Sequence, residues 1–227
     1  VATNTGLLEV SGGSVRPSEF DELKDAFISA LHADTDGTMW IATRGGALYE
    51  VKPGHLIDHS DWVAGHDGYV TSMRRDSHGT MWLAHNTAGL FRARGAVIDR
   101  FSEETGLSDN QVSGILVDSE GSLWAGTNGG GLNRLRSGPF SPFGIQEGLP
   151  HNNTYTVAST PDGIVWIGTE NGLVGIRDRQ VVHTIGVTEG LADAHVQSLA
   201  PAKDGGIWIG TRGAGLYKWN GRLSDHY

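Results

Sequence analysis

Short segments in which apolar and polar positions alternate recur along the whole chain. In the middle of the chain, residues 111–118 read QVSGILVD, and Gly-containing turns separate this segment from the ones that follow it. A period of two residues is typical of strands with one buried face. The pattern predicts four short strands here, over about residues 111–118, 122–127, 131–136 and 139–145.

This four-strand unit repeats every 42 residues. The same register carries a tryptophan in each unit, namely Trp40, Trp82, Trp124, Trp166 and Trp208. A dipeptide that ends in Gly begins four residues before each tryptophan, and such a dipeptide favours a hairpin. The five dipeptides are Asp36-Gly37, His78-Gly79, Glu120-Gly121, Asp162-Gly163 and Asp204-Gly205. Units of about 40–45 residues with four antiparallel strands are typical of propeller blades. We therefore interpret the five tryptophans as structural wedges between blades.

The predicted fold is an all-β β-propeller in a single domain or a fragment of one. It has a partial N-terminal blade at 1–20 and five full blades at 21–62, 63–104, 105–146, 147–188 and 189–227. Residues 1–8 align with 167–174, late in the second strand of a blade, so the first blade is expected to lack its first strand and most of its second. This count favours a piece of a larger ring, or an open or assembled arc.

Composition and net charge exclude several classes of function. The 227 residues include 34 Gly, no Cys, 17 Lys and Arg, and 26 Asp and Glu, which gives a net charge of −9. The acidic balance argues against a nucleic-acid partner. Without Cys, disulfide scaffolds, thiolate metal sites and cysteine nucleophiles are excluded. No apolar run approaches the length of a membrane helix, so no membrane contact is expected within this segment.

The unit is similar to the two-component regulator propeller repeat. Its pattern stands here as Gly106-Leu107, five residues on Val112, and then 118–132, which reads DSEGSLWAGTNGGGL. The resemblance implies a non-catalytic sensor or interaction module from the periplasmic or extracytoplasmic part of a bacterial signalling receptor. It also implies association with a second copy or with other propeller or receptor segments.

Candidate ligand-binding residues lie where equivalent positions differ between blades. The loop after the second strand carries Arg44, Asn86, Asn128, Glu170 and Arg212, and the loop before the first strand carries Tyr69, Gln111, Asn153 and His195. Propeller geometry would place these groups around the mouth of a central channel. We take Arg44, Asn86, Asn128, Glu170, Arg212, Tyr69, Asn153 and His195 as the candidate site, suited to a small polar ligand or a glycan.

Catalytic and metal motifs are weak. Asp34-Thr35-Asp36-Gly37 begins like a calcium loop but has no Glu at its twelfth position, and no G-x-S-x-G or P-loop sequence occurs. We expect no cofactor, no metal and no catalysis. Two alternatives stay open, a propeller enzyme of the lyase or glycosidase type and a pure assembly scaffold. Three aromatic residues outside the repeat, Trp62, Tyr155 and Trp219, either stack on a ligand or fill local gaps.

Overall fold

The computed structural model describes residues 1–136 and 141–224, and the chain forms two compact units, 1–101 and 102–227. In the described ranges the helices are single 3-10 turns, at Asp21–Leu23, Ser60–Val63, Glu103–Thr105 and Ile145–Glu147. None of them has the length and apolar character that crossing a bilayer would require. All other regular structure is β.

The first unit holds three antiparallel sheets. The partial blade pairs β1 (Ala2–Thr3), β2 (Gly6–Ser11) and β3 (Ser14–Pro17) in that order. Blade 1 pairs β4 (Ile28–Ala33), β5 (Met39–Thr43), β6 (Leu48–Lys52) and β7 (His55–Asp58). Blade 2 pairs β8 (Val70–Arg75), β9 (Met81–His85), β10 (Gly89–Arg94) and β11 (Val97–Phe101).

The second unit holds three four-stranded sheets with the same sequential order. Blade 3 pairs β12 (Val112–Val117), β13 (Leu123–Thr127), β14 (Gly131–Leu135) and β15 (Ser141–Phe143). Blade 4 pairs β16 (Thr154–Ser159), β17 (Val165–Thr169), β18 (Gly172–Arg177) and β19 (Gln180–Ile185). Blade 5 pairs β20 (Val196–Pro201), β21 (Ile207–Thr211), β22 (Leu216–Trp219) and β23 (Leu223–Ser224).

The predicted all-β propeller architecture is confirmed. Over the described residues the chain forms five four-stranded blades and one partial blade, and the strand bounds of blade 3 lie within the predicted segments. Residues 139 and 140, where the predicted fourth strand begins, lie outside the described part of the chain. The residue boundaries between blades stay a prediction.

The first hairpin of a full blade is closed by a turn glycine and by the repeat tryptophan. Gly37, Gly79, Gly121, Gly163 and Gly205 all have φ between 79° and 87°, the left-handed region that glycine tolerates best. The indole Nε1 of Trp124 donates to Asp118 Oδ2 at 2.7 Å, and Trp166 donates to Thr160 Oγ1 at 3.0 Å. The tryptophan thus stabilises the turn that precedes it as well as the core.

The core of each unit lies between neighbouring sheets. In the first unit Trp40 and Leu48 of blade 1 pack in one cluster with Val70, Met73 and Met81 of blade 2. In the second unit Trp124 and Leu132 pack with Val165 and Ile167, and Trp166 and Leu173 pack with Val196 and Ile207. Both faces of these blades are apolar, so a sheet of this kind needs a neighbour to be stable.

A β-bulge interrupts the first strand of every full blade at the same register. The extra residues are Ser29, Thr71, Ser113, Tyr155 and Gln197. Ser29 Oγ donates to the Val70 carbonyl at 2.8 Å, and Ser113 Oγ donates to the Thr154 carbonyl, so the small hydroxyl residues tie their blade to the next. Bulges re-aim side chains, and in blade 4 the bulged side chain is a tyrosine.

Candidate functional site

A recurring backbone hydrogen bond brings the two predicted loop sets together. In every full blade the residue after the second strand donates its N–H to the carbonyl of the residue 17 positions earlier, just before the first strand. The pairs are Arg44 to Phe27 at 2.8 Å, Asn86 to Tyr69 at 3.1 Å, Asn128 to Gln111 at 2.9 Å, Glu170 to Asn153 at 3.0 Å, and Arg212 to His195 at 2.9 Å. The paired side chains are therefore neighbours at one end of the blade.

In the first unit the pairs form an aromatic and cationic surface. The Arg44 guanidinium lies 4.5 Å from the Phe27 ring centre and 4.9 Å from the Tyr69 ring centre. Arg44 is exposed, and Phe27 keeps 43% of its surface accessible. Contacts of this kind hold a guanidinium over a ring face. Phe27 was not among the predicted residues, although it lies one 42-residue period before Tyr69.

Asn86 has a different role from Arg44. Its Oδ1 accepts a hydrogen bond from the Tyr69 backbone N–H at 2.7 Å, so its amide supports the loop before β8. The loop approaches so closely that a Cβ on Gly68, which has φ 121°, would lie 2.1 Å from Asn86 Oδ1. Asn86 therefore positions Tyr69.

In the second unit a polar cluster centres on the exposed Glu170 carboxylate. Asn153 Nδ2 donates to Glu170 Oε2 at 2.5 Å, and the Tyr155 hydroxyl donates to the same oxygen at 3.3 Å. The hydrogen bond from Asn153 lowers the pKa of Glu170, which keeps the carboxylate ionised. Burial raises the pKa of Tyr155, and the Glu170 charge raises it further, so the phenol stays a donor. We refer to Asn153, Tyr155, Glu170 and His195 as the Glu170 cluster.

His195 joins this cluster from blade 5. Its imidazole stacks on the Tyr155 ring with 4.5 Å between ring centres and 19° between planes. Asp193 fixes the loop, because its carboxylate accepts from the His195 N–H at 2.9 Å and from the Gly213 N–H at 2.7 Å. These two hydrogen bonds lower the pKa of Asp193. Arg212 is exposed beside them, and its positive charge also favours the ionised Asp193.

The last predicted residue, Asn128, lies in blade 3. Its Nδ2 donates to Gln111 Oε1 at 3.3 Å, and its backbone forms an isolated antiparallel bridge with Asn153. The structure thus brings Arg44, Tyr69 and Asn86 together in the first unit. It brings Asn128, Asn153, Glu170, His195 and Arg212 into neighbouring loops of the second. A common channel mouth for both sets stays a prediction.

Three residues of these loops were not among the predicted site residues. Phe27 follows the period and could have been found by extending it, whereas Tyr155 was noticed only as an aromatic residue outside the repeat. His151, whose Nδ1 accepts from the Asn153 N–H at 3.0 Å, carried no signal of its own. Among residues 1–136 and 141–224 no group of three or more His, Asp or Glu could hold a metal ion.

Comparison with known families explains the repeat. The two component regulator propeller model matches four segments, residues 22–45, 106–129, 148–171 and 190–213. This chain carries two component regulator propeller repeats. No curated protein matches the sequence. Each matched segment ends one residue after the loop position of Arg44, Asn128, Glu170 or Arg212, so the repeat unit includes half of the candidate site.

Solved structures share the fold. The extracellular domain of a putative hybrid two component system from B. thetaiotaomicron matches with a TM-score of 0.60 and 20% identity, covering 95% of this chain and 38% of that chain. Virginiamycin B lyase from Staphylococcus aureus matches with a TM-score of 0.78 and 16% identity, covering 99% of this chain and 85% of that chain. These two matches show that the chain shares a propeller fold with both structures. The chain spans 38% of the length of the two-component extracellular domain.

Proposed function

We propose that this propeller is a non-catalytic, ligand-sensing module of an extracytoplasmic bacterial receptor, and that the Glu170 cluster binds the hydroxyl groups of an oligosaccharide. The observation that carries the proposal is the arrangement around Glu170. An exposed carboxylate, a carboxamide and a phenol meet at one point, and a stacked Tyr155–His195 pair stands beside them. Carbohydrate rings offer many hydroxyl groups to such polar atoms and apolar faces to aromatic rings.

The cluster is also the place where blade 4 departs from its neighbours. The bulge position is Ser29, Thr71 or Ser113 in the preceding full blades and Tyr155 here. Positions that hold the fold repeat every 42 residues, so a large amphipathic side chain at this one position supports a local binding role. The family match and the extracellular two-component relatives support the receptor context.

The first experiment is a thermal-shift screen of the chain against neutral and acidic oligosaccharides. A ligand at about 100 times its dissociation constant stabilises the folded state by about 2.7 kcal/mol. We expect Glu170→Gln and Tyr155→Phe to weaken binding of the oligosaccharide that gives a shift. Glu104→Gln is the matched control, because Glu104 is an exposed carboxylate of the same unit outside the cluster.

Three results would contradict the proposal. One is the absence of a shift with any oligosaccharide while light scattering shows a multimer, which would favour an assembly scaffold. Another is conversion of the bound oligosaccharide to a new product by mass spectrometry, which would favour an enzyme. The third is equal loss of binding in Glu170→Gln and Glu104→Gln, which would place the site elsewhere.

A further inference from the structure

A cleft in the second unit lies at the opposite ends of the strands from the Glu170 cluster. It has a volume of about 460 Å³ and lies among the hairpin turns of blades 3 and 4. Four arginines line it, Arg134 and Arg136 from blade 3 and Arg177 and Arg179 from blade 4. The chain has only 17 Lys and Arg residues and a net charge of −9. Four arginines in one cleft are therefore a marked local concentration of positive charge.

The two arginines of blade 3 share one carboxylate. Arg134 lies 3.4 Å and Arg136 lies 3.3 Å from Glu120 Oε2. Glu120 is about half exposed, and such exposed ion pairs are weak and screened by salt. Arg134 is held in place by Ser122 Oγ at 2.9 Å and by the Trp124 ring at 4.9 Å. One guanidinium is therefore preorganised, and the shared Glu120 leaves both with unused donors.

Of the two arginines of blade 4, Arg177 ends β18 and Arg179 is the second residue of the tight hairpin turn that follows. Arg177 pairs with Asp162 Oδ2 at 3.1 Å. Arg179 is exposed and has no hydrogen-bond or ion-pair partner in residues 1–136 and 141–224. Its φ is 62°. In the corresponding turns of the partial blade and of blades 1, 2 and 5 the left-handed residues are all glycines, namely Gly12, Gly13, Gly54, Gly95 and Gly221.

An arginine at a left-handed position costs stability that glycine would not, so Arg179 is not explained by the fold. A guanidinium offers five donors in a planar fork that matches carboxylate and phosphate oxygens two at a time. We propose that this four-arginine cleft binds a small molecule with two or more oxyanion groups, phosphate or carboxylate. The bound anion displaces Glu120 from Arg134 and Arg136 and pairs with Arg179. This site does not depend on the Glu170 cluster.

Isothermal titration of the full chain with inorganic pyrophosphate and, separately, with citrate tests the proposal at physiological salt. We expect saturable binding of at least one probe, and the comparison decides between the phosphate and carboxylate sources. Arg136→Ala and Arg179→Gly each remove charge-assisted hydrogen bonds and should weaken binding about tenfold. Glu120→Gln removes the competing carboxylate and should tighten binding.

Two features separate a binding role from a structural one. Arg179→Gly relieves the left-handed backbone, so it should leave the thermal midpoint unchanged or raised while binding falls. Arg94→Ala is the matched control, because Arg94 ends β10 as Arg177 ends β18 but lies outside the cleft, and it should bind as the wild type does. Absence of saturable binding, equal loss in Arg94→Ala, or unchanged affinity in Glu120→Gln would each overturn the proposal.

Discussion

His85 is a buried histidine that makes the stability of the first unit depend on pH. It stands where the other full blades have Thr43, Thr127, Thr169 and Thr211. Only 1% of its surface is exposed, and its Nδ1 accepts from the Ala88 N–H at 3.2 Å. Burial, together with the charges of His66 and Arg100, lowers the pKa of His85 to about 4. The folded protein therefore holds this imidazole neutral.

A pH dependence follows from His85. Between pH 6.5, the ordinary pKa, and about pH 4, the unfolded chain binds a proton that the folded chain does not, so stability falls as pH falls, by at most roughly 1.4 kcal/mol per pH unit. We expect His85→Thr to have a shallower loss of stability in this window, measured by urea unfolding at pH 7, 6 and 5. The exposed His78 provides the control, since His78→Thr should keep the wild-type slope. Identical slopes in all three proteins would disprove the assignment.

The Asp and Trp of the repeat motif form hydrogen bonds within the first hairpin of a blade. Asp118 accepts from Trp124 Nε1 through one oxygen, and from the backbone N–H groups of Glu120 and Ser122, at 3.0 and 2.8 Å, through the other. Asp34 and Asp76 likewise accept from the indoles of Trp40 and Trp82 at 3.1 Å. The Asp and Trp of the repeat are thus parts of one hydrogen-bonded hairpin. At Asp34, where the calcium-like sequence begins, the carboxylate accepts from the Trp40 indole and from Arg75 Nε at 2.9 Å.

Substitution of Asp118 tests this hairpin. Asp118→Ala leaves the buried indole and two turn amides without an acceptor, so the free energy of unfolding should fall by about 1–3 kcal/mol. Asp118→Thr should recover part of the loss, because Thr160 already accepts from Trp166 in blade 4. Ser119→Ala, an exposed neighbour, is the control for equilibrium urea unfolding. If Asp118→Ala is as stable as Ser119→Ala, the hydrogen bonds do not stabilise the hairpin.

Across the whole molecule, hydrogen-bonded aspartates make the stability of both units depend on acidic pH. Burial alone would raise the pKa of Asp34, Asp76 and Asp162, but hydrogen bonds to each carboxylate outweigh it and the pKa values lie below the ordinary range. The hydrogen bond from Lys218 lowers the pKa of Asp204. All four residues belong to first hairpins, so the repeat distributes the same electrostatic feature along the chain.

The expected consequence is acid unfolding. A carboxylate with a lowered folded pKa stabilises the protein above its unfolded pKa, and this stabilisation is lost as pH falls through the folded pKa. We expect the urea midpoint to drop below about pH 4, where unfolded aspartates bind protons first. His85→Thr should not prevent this drop, because the loss of stability caused by His85 falls between pH 6.5 and about pH 4. A midpoint that is constant from pH 5 to pH 3 would contradict the prediction.

Much of the fold could be predicted from sequence, for a physical reason. The period of a strand is visible in the amino-acid sequence, because alternate residues face opposite sides of a sheet. In blades 1 to 4 the 42-residue spacing of tryptophan and turn glycine then repeats one local arrangement, in which an indole, its carboxylate or hydroxyl acceptor and a left-handed glycine close a hairpin. These are short-range interactions, so the number of blades and the two-component regulator propeller repeat follow from the sequence by itself.

Only the tertiary structure decided which loop residues meet. Tyr155 reaches Glu170 and His195 because a bulge re-aims its side chain and because blade 5 packs beside blade 4. Asn86 faces its own loop backbone, although its sequence position is equivalent to that of Arg44. Arg179 joins three other arginines through hairpins of two different blades. Contacts between residues far apart in sequence depend on how sheets pack, and no local pattern in this chain encodes that packing.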